Sequence, residues 1–341
     1  MASRKNSELI TLTAMMVAVF VLMWYLNGNA FIQVDTLQSM AFQLPELGIL
    51  SLAMMITMLT GGINLSIIAA ANLSGVITAE ILVHYVAPDA TGSGPLLIIV
   101  LAIAAGLLVS AIVGLLNGFL IAVVEVSPIL ATLGTMILVK GVSIVITRGY
   151  TLSGLPEPVL YIGNGLPGGV PMPMILFLLS AAVLALILNW TRLGQYIYMI
   201  GSNPVACRFA GVNNASVLVR TYLISGVYAG IAAMIMIARF NSAKADYGEA
   251  YLLLTVLASV LGGVSAAGGF GRVSGVVIAL IILQLVSSGL NLMGVNTFLT
   301  IAMWGAILIG VMVINSLNER YQLLARFPLP RSRKSVSVSQ G

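Results

Sequence analysis

The sequence predicts an all-α, polytopic membrane protein with about ten transmembrane helices, and three observations support this fold class. Of the 341 residues, 60% are hydrophobic and only 7% are charged, whereas a typical soluble domain carries about 25% charged residues. The mean hydropathy is +1.09. The apolar residues form separate runs close to the ~20 residues that a helix needs to cross a bilayer. This composition excludes a soluble enzyme, a disordered chain and a nucleic-acid-binding protein.

The apolar runs predict ten spans in chain order. A polar break at residues 61–66 separates the second run from the third, and Pro128 opens the fifth, since proline favours the first turn of a helix. Residues 148–171 form a long loop rich in glycine and proline. The predicted spans are residues 9–26, 45–60, 65–86, 95–124, 128–147, 172–190, 217–239, 250–262, 273–290 and 297–315. We therefore expect a membrane domain over residues 1–318 and a basic tail over residues 319–341.

The basic residues predict how these spans are oriented. Spans that alternate from a cytoplasmic N-terminus place eleven of the fifteen lysines and arginines in cytoplasmic segments and three outside. Such an excess of positive charge is typical of the cytoplasmic side. The fifteenth basic residue, Lys140, lies within a span. Both termini are therefore expected in the cytoplasm.

The rarest residue types limit the chemistry. One cysteine, Cys207, and one histidine, His84, cannot form an intramolecular disulfide or the usual four-ligand Cys/His zinc site. The sequence contains no Walker motif, and this excludes ATP hydrolysis at a phosphate-binding loop of this chain. We expect no catalytic residue, no metal site and no cofactor bound by the chain itself.

Three charged residues lie in or beside apolar runs and leave a second function open. An ion-coupled secondary carrier would use an ionisable group within the membrane, and the candidates are Glu80, Glu125 and Lys140. Glu80 and Glu125 are expected near the membrane surfaces. Lys140 lies twelve residues past Pro128, which is ~18 Å along a helix. Its ammonium group is therefore expected to face a water-filled centre or to pair with another side chain.

Six neutral polar side chains are candidates for lining a solute path. A solute with many hydroxyl groups needs donors and acceptors, because unpaired hydroxyls are costly to bury. Hydrogen bonding between helices is the alternative for each of them. Two locations are possible for the break at residues 61–66. Either it lies at membrane depth and lines the path, or it is a turn at the membrane surface. The six candidates are Asn64, Ser66, Asn72, Asn117, Gln284 and Asn291.

Residues 191–212 contain the signals of a short surface helix. Asn203 is a favourable N-cap, Pro204 suits the first helical position, and Gly211 suits the C-terminal stop. A helix of about two turns over residues 203–211 is too short to cross a bilayer. We expect it at the cytoplasmic surface, where its shape suits docking into a groove on a soluble partner. An idle loop helix is the alternative.

Five segments carry motifs that occur together in a known family. Residues 61–66 read G-G-I-N-L-S, residues 128–136 read P-I-L-A-T-L-G-T-M, and residues 191–212 contain G-Q-Y-I-Y-M-I-G-S-N. Residues 261–271 read L-G-G-V-S-A-A-G-G-F-G, and residues 289–295 read G-L-N-L-M-G-V. In this order, and over nearly the whole chain, they resemble the permease subunit of carbohydrate ABC importers of the ribose/galactose type.

The resemblance implies an ABC importer permease fold over residues 1–318 and transport of a sugar or sugar-like solute across the bacterial inner membrane by alternating access. It implies three partners: an ABC ATPase that binds ATP and Mg, a second permease copy or a paralogue, and a periplasmic or lipid-anchored solute-binding protein. The helix at residues 203–211 corresponds to the coupling helix that receives the motion of the ATPase. The residues expected to couple to the ATPase are Asn203, Pro204, Ala206, Arg208 and Gly211.

Two departures from the family pattern leave the substrate and the dimer partner open. Asn64 stands where the family usually has aspartate, and residues 252–255 replace an E-L-D-type stretch. Residues 241–248 look more similar to autoinducer-2 permease subunits, which work as heteromeric pairs. The sequence therefore leaves open a homodimer or a heterodimer, and a sugar, a polyol or an autoinducer as the solute.

Overall fold

The computed structural model describes residues 2–87, 94–296, 298–310 and 313. The predicted tail at residues 319–341 lies outside these residues. Two short strands, β1 (Leu152–Ser153) and β2 (Ser242–Ala243), pair in antiparallel register. The helices are α1 (Ala2–Asn27), α2 (Val34–Met58), α3 (Ile67–Tyr85), α4 (Gly94–Ala122), α5 (Pro128–Thr147), α6 (Glu157–Asn164), α7 (Met172–Trp190), α8 (Arg192–Ser202), α9 (Pro204–Phe209), α10 (Asn214–Phe240), α11 (Tyr251–Leu261), α12 (Val273–Leu292) and α13 (Phe298–Gly310).

The predicted all-α, polytopic fold is confirmed. Among the described residues, eight helices are long and apolar enough to span a membrane, and α11 and α13 are shorter apolar helices. Each of the ten predicted runs therefore coincides with a helix. The eleven residues of α11 measure ~16 Å, about half of a hydrocarbon core. The predicted start of the second span at residue 45 was wrong: α2 begins at Val34, because the helix continues through a stretch in which polar residues interrupt the apolar pattern.

Four connecting segments meet at one end of the helix bundle, which we call the junction end: residues 59–66, 123–127, 191–213 and 262–272. The backbone N–H of Gly269 donates to the carbonyl oxygen of Leu59 at 2.9 Å. The hydroxyl of Tyr198 donates to the carbonyl oxygen of Gly271 at 2.9 Å. These bonds join connectors that are far apart in the sequence. One span separates each connector at this end from a connector at the other end, so these four connectors come after every second span.

Two other connecting segments, residues 148–171 and 241–250, meet at the opposite end, which we call the strand end. Leu152 of β1 pairs with Ala243 of β2. The N–H of Leu155 donates to Oδ1 of Asn241 at 2.9 Å, and Nδ2 of Asn164 donates to the carbonyl oxygen of Ala238 at 3.0 Å. The connections therefore alternate between two ends, as ten alternating spans require.

The centre of the bundle is α10, which packs against α2, α3 and α4. Gly114 of α4 and Gly226 of α10 allow two of these backbones to touch: a Cβ at Gly226 would lie 3.0 Å from the Cα of Gly114, and a Cβ at Gly114 would lie 3.2 Å from the Cα of Leu223. Close approach of this kind is a main source of helix association in lipid.

The outer helices expose apolar side chains in the way that a lipid-facing surface requires. Leu97 and Leu108 of α4 and Leu178 and Leu179 of α7 are all more than half exposed. By contrast, most of the second half of α2 is buried. The backbone groups of the outer spans are satisfied within each helix, and helices are one of the two structures that can meet this condition in hydrocarbon.

Candidate coupling and solute-path site

The chain between α7 and α10 folds into two short capped helices. Oγ1 of Thr191 accepts from the N–H of Gly194 at 3.2 Å at the start of α8. Oδ1 of Asn203 accepts from the N–H of Ala206 at 2.9 Å at the start of α9, with Pro204 in the first helical position. Gly211 takes a positive φ of 80° just past the end of α9, a conformation that glycine adopts without strain. Local sequence signals therefore determine both helices.

Helix α9 presents almost all of its side chains to solvent. Ala206 and Arg208 are exposed, Val205 is 62% exposed, and Phe209 is 89% exposed. Only the Cys207 side chain is buried against the bundle. Exposed aliphatic and aromatic side chains beside an arginine are typical of a surface that docks on a protein partner.

Glycines allow the end of α8 to pack directly against the bundle. A Cβ at Gly201 would overlap the carbonyl oxygen of Leu59 and the backbone nitrogen of Gly269. A Cβ at Gly268 would lie 3.0 Å from the Cα of Gly201. The backbones of three segments that carry family motifs are therefore in direct contact, with no side chain between them.

A partly buried phenol adds a hydrogen bond to this contact. Burial raises the pKa of Tyr198 above its ordinary value, although the charge of Arg272 opposes the shift. The hydroxyl of Tyr198 therefore stays protonated at neutral pH, where it donates to Gly271. This bond ties α8 to the segment that leads into α12.

A pocket of about 280 Å³ opens between the break and α9. It brings Pro204, the first residue of α9, together with Pro128, the first residue of α5. The hydroxyl of Tyr222 at this pocket is buried and has no hydrogen-bond partner among the described residues. The pocket is lined by Thr60, Gly62, Ile121, Pro128, Ile200, Gly201, Pro204, Leu218, Tyr222 and Ala267.

Three of the six predicted path residues form one buried network beside the break. Nδ2 of Asn117 donates to Oγ of Ser66 at 2.7 Å, and this hydroxyl donates to Oδ1 of Asn64 at 2.8 Å. Nδ2 of Asn64 donates to Oγ of Ser225 at 3.0 Å, and that hydroxyl donates to the carbonyl oxygen of Ala53 at 2.8 Å. In this conformation the network joins α2, α4, α10 and the break, and its role as a solute contact stays a prediction.

The network also locates the break. Residues 61–66 lie between the last turn of α2 and the first turn of α3, at the junction end. Asn64 is 2% exposed, and the N–H of Leu65 donates to Oγ1 of Thr132 at 3.1 Å. The break is thus a turn at an end of the bundle whose polar groups are satisfied by protein, as burial requires.

The other three path candidates lie elsewhere. Nδ2 of Asn72 donates to the carbonyl oxygens of Ala245 and Tyr247, both at 3.0 Å, at the strand end. Nε2 of Gln284 donates to Oγ of Ser288 at 3.0 Å on α12. Asn291 is exposed near the end of α12. Three of the six candidates therefore lie together beside the break, the other three lie apart from them and from one another, and the role of all six as solute contacts stays a prediction.

One buried ion pair was not predicted from the sequence. Glu46 of α2 is fully buried, and its Oε1 lies 2.9 Å from an Nη atom of Arg239 at the end of α10. The hydroxyl of Tyr251 donates to the other carboxylate oxygen at 3.4 Å. By contrast, the carrier candidate Glu80 is partly exposed and Glu125 is exposed. A glutamate at the start of a predicted apolar run was the available signal, but its partner is 193 residues away.

The fold is that of a polytopic membrane permease. Residues 36–316 match the family described as branched-chain amino acid transport system / permease component. The chain belongs to this family of permease components, and it is a multi-pass membrane protein with a transport role. The resemblance inferred from the five motifs is confirmed.

Three relatives illustrate the similarity. The ribose import permease protein RbsC of Escherichia coli (strain K12) is 34% identical over 272 residues, which cover 79% of this chain and 81% of the relative. The galactose/methyl galactoside import permease protein MglC of Haemophilus influenzae is 33% identical over 273 residues, covering 76% and 80%. The autoinducer 2 import system permease protein LsrD of Yersinia pseudotuberculosis is 27% identical over 335 residues, covering 96% and 97%. No solved structure matches the chain.

Proposed function

We propose that this chain is the transmembrane permease subunit of an ATP-driven ABC importer. It translocates a sugar or sugar-like solute across the bacterial inner membrane by alternating access. One observation carries the proposal: α9 exposes nearly all of its side chains while the adjoining Gly201 is fixed between Leu59 and Gly269. A partner that moves α9 must therefore move the ends of several spans.

The contacts of α9 define the route of this motion. Asn203 and Pro204 set the start of α9, and Nδ2 of Asn214 in α10 donates to the carbonyl oxygen of Pro204 at 2.8 Å. Ala206 and Arg208 contact the ATPase, and Gly211 releases the chain into α10. Displacement of α9 is thus passed to α10 through Asn214 and to α2 through Gly201. This route requires no covalent reaction in the permease itself.

The proposal fixes the orientation and the partners. The junction end faces the cytoplasm, where the ATPase docks on α9 and binds ATP and Mg, so that this chain binds no cofactor. Both termini are cytoplasmic. A second permease copy or a paralogue completes the path, and a periplasmic or lipid-anchored solute-binding protein delivers the solute to the strand end. The arginines at the junction end, which agree with a cytoplasmic location, are Arg192, Arg208, Arg220 and Arg272.

The class of solute follows from the relatives, which are named for the import of ribose, of galactose and methyl galactoside, and of autoinducer 2. A sugar-like solute carries several hydroxyl groups, which need donors and acceptors along the path. The neutral side chains of Gln284 and Asn291 supply both. We assign this chain a neutral solute of that kind.

Reconstitution tests the proposal. The permease, its ATPase and its binding protein are placed in liposomes, and solute uptake is measured with ATP or with an ion gradient. Uptake that requires ATP supports the proposal, whereas uptake driven by the gradient in the absence of ATP contradicts it. The complex that carries the double variant Ala206→Asp, Gly211→Pro should still hydrolyse ATP through its ATPase subunit but should not take up solute. The matched control is Glu80→Gln on α3, a partly exposed site far along the chain from α9, which should transport normally.

A further inference from the structure

Lys140 is a charged residue on an otherwise apolar side of α5. It lies twelve residues into the helix, and its side chain is 41% exposed. The neighbouring Ile137 and Leu138 are 64% and 60% exposed. A half-exposed ammonium group at this depth is costly against lipid, and such groups face a bundle interior or water. The ammonium group of Lys140 therefore meets its partner and water rather than lipid.

The partner of Lys140 comes from the connector at the strand end. Its Nζ forms an ion pair with Oε1 of Glu249, whose side chain is 53% exposed. Asp246 adds a further attraction to Lys140 and is itself paired with Nζ of Lys244 at 3.1 Å. Two positive and two negative side chains therefore gather where α5 meets residues 241–250, and all four remain partly exposed.

This connector is held firmly in place. Nδ2 of Asn72 donates to the carbonyl oxygens of Ala245 and Tyr247. The hydroxyls of Ser242 and Tyr247 share a hydrogen bond of 2.7 Å. The carboxylates of the cluster are therefore carried on a fixed segment, and such preorganisation lowers the cost of binding a ligand.

The chemistry of the cluster suits a neutral polyol. An ammonium group offers three donors, a carboxylate only accepts, and a sugar hydroxyl both donates and accepts. Neighbouring hydroxyls can therefore bond to Lys140 and Glu249 together. The formal charges of the four side chains cancel, so the cluster favours neither an anion nor a cation. Hydrogen bonds to charged groups are stronger than those between neutral groups.

We propose that Lys140 and Glu249, with Asp246 beside them, form a hydrated solute-contact site for a neutral polyhydroxylated molecule at the strand end. The site rests on the proposed import function. It lies in the solute path on the side where the binding protein delivers its cargo. The solute replaces part of the Lys140–Glu249 contact as it enters.

The first test measures whether water reaches this face. Ile137→Cys, one turn from Lys140, is treated from the outside with a membrane-impermeant methanethiosulfonate reagent. Labelling is expected, whereas Leu97→Cys on the lipid-facing side of α4 and the parent chain, whose Cys207 is buried, stay unlabelled. An unreactive Ile137→Cys in a complex that still transports would overturn the proposal, because lipid or a second permease copy would then cover this face.

The second test measures solute contact. The probe is the sugar that the unsubstituted complex accumulates from a panel of labelled pentoses and hexoses. Lys140→Met and Glu249→Gln should each reduce ATP-dependent uptake at low sugar by about tenfold or more, mainly through KM, and Lys140→Arg should restore part of it. Glu80→Gln, which removes a charge outside the proposed site, serves as the control and should leave both uptake and basal ATPase activity unchanged.

The outcomes separate the two proposals. If the unsubstituted complex accumulates no sugar from the panel with ATP, the proposed function fails. If it does, and Lys140→Met keeps normal KM, the contact site alone is refuted. The affinity for the binding protein is measured by titrating that protein while ATPase activity is recorded. The site would also be refuted if a variant weakened this affinity and left the KM for the solute unchanged. The cluster would then be a docking contact for that protein.

Discussion

Replacing Gly201 by alanine should uncouple ATP hydrolysis from transport. Gly201 lies on the last turn of α8 at an ordinary φ, so alanine there brings no backbone strain. The added methyl group, however, would overlap the carbonyl oxygen of Leu59 and the backbone nitrogen of Gly269. Both are main-chain atoms and cannot rotate away as a side chain would. The end of α8 must therefore move away from the bundle.

The magnitude follows from the contacts that are lost. Overpacking a tightly packed site costs roughly 1–3 kcal/mol. Separating the segments also strains the bond from Gly269 to Leu59, which measures 2.9 Å, and losing such a bond costs about 1 kcal/mol. Together these effects weaken the contact between the end of α8 and the end of α2 by about 2–4 kcal/mol. Since 1.4 kcal/mol is a factor of ten, we expect the ratio of solute moved to ATP hydrolysed to fall at least about tenfold.

The assay compares two alanine variants of the same chemistry. ATPase rate and solute uptake are measured on one preparation of the reconstituted complex carrying Gly201→Ala or Gly305→Ala. Gly305 of α13 has nothing within 4 Å of its Cβ position, and alanine favours a helix interior by up to about 1 kcal/mol. Gly305→Ala should therefore transport normally. If Gly201→Ala retained wild-type uptake per ATP, the contact at Gly201 would not transmit the motion.

Three further predictions concern other parts of the molecule. Glu46→Ala leaves Arg239 without its buried partner and should cost roughly 3–5 kcal/mol. A thermal unfolding midpoint in detergent equal to that of wild type would contradict this. Asn64→Ala removes the partner of Ser66 and Ser225 and should cost about 2–4 kcal/mol, whereas Asn64→Asp keeps the acceptor oxygen and should cost less; equal losses in a denaturant titration would refute the network. Phe209→Ala should weaken binding of the ATPase by about ten- to hundredfold without lowering thermal stability, because the ring is 89% exposed; unchanged affinity in a pull-down titration would exclude this ring from the docking surface.

Local signals in the sequence predicted much of the fold. Apolar runs near the length of a bilayer identified ten helices, and the cap and stop signals at Asn203, Pro204 and Gly211 located α9. These features are properties of one segment at a time, because helix formation and capping depend on neighbours within about one turn.

Contacts between distant segments could not be predicted. Glu46 meets Arg239 across 193 residues, and Asn64 meets Ser225 across 161 residues. Each of these side chains has many chemically suitable partners in the sequence, and only the packing of α2 and α10 selects one. The same applies to Lys140: its depth was predicted from the helix rise, but its partner Glu249 depends on how the connector at the strand end folds. The predicted coupling residues lie together for a simpler reason, since they are close in sequence.

Site-specific cross-linking at α9 tests the central claim most directly. A cysteine at position 209, made by Phe209→Cys, is treated with a thiol-to-amine cross-linker in membranes that contain the ATPase and the binding protein. The same treatment is applied to Arg148→Cys at the strand end. We predict that the first variant joins the permease to the ATPase and that the second does not. A Phe209→Cys product containing the binding protein, or its modification by an impermeant reagent added outside the cell membrane, would contradict the account.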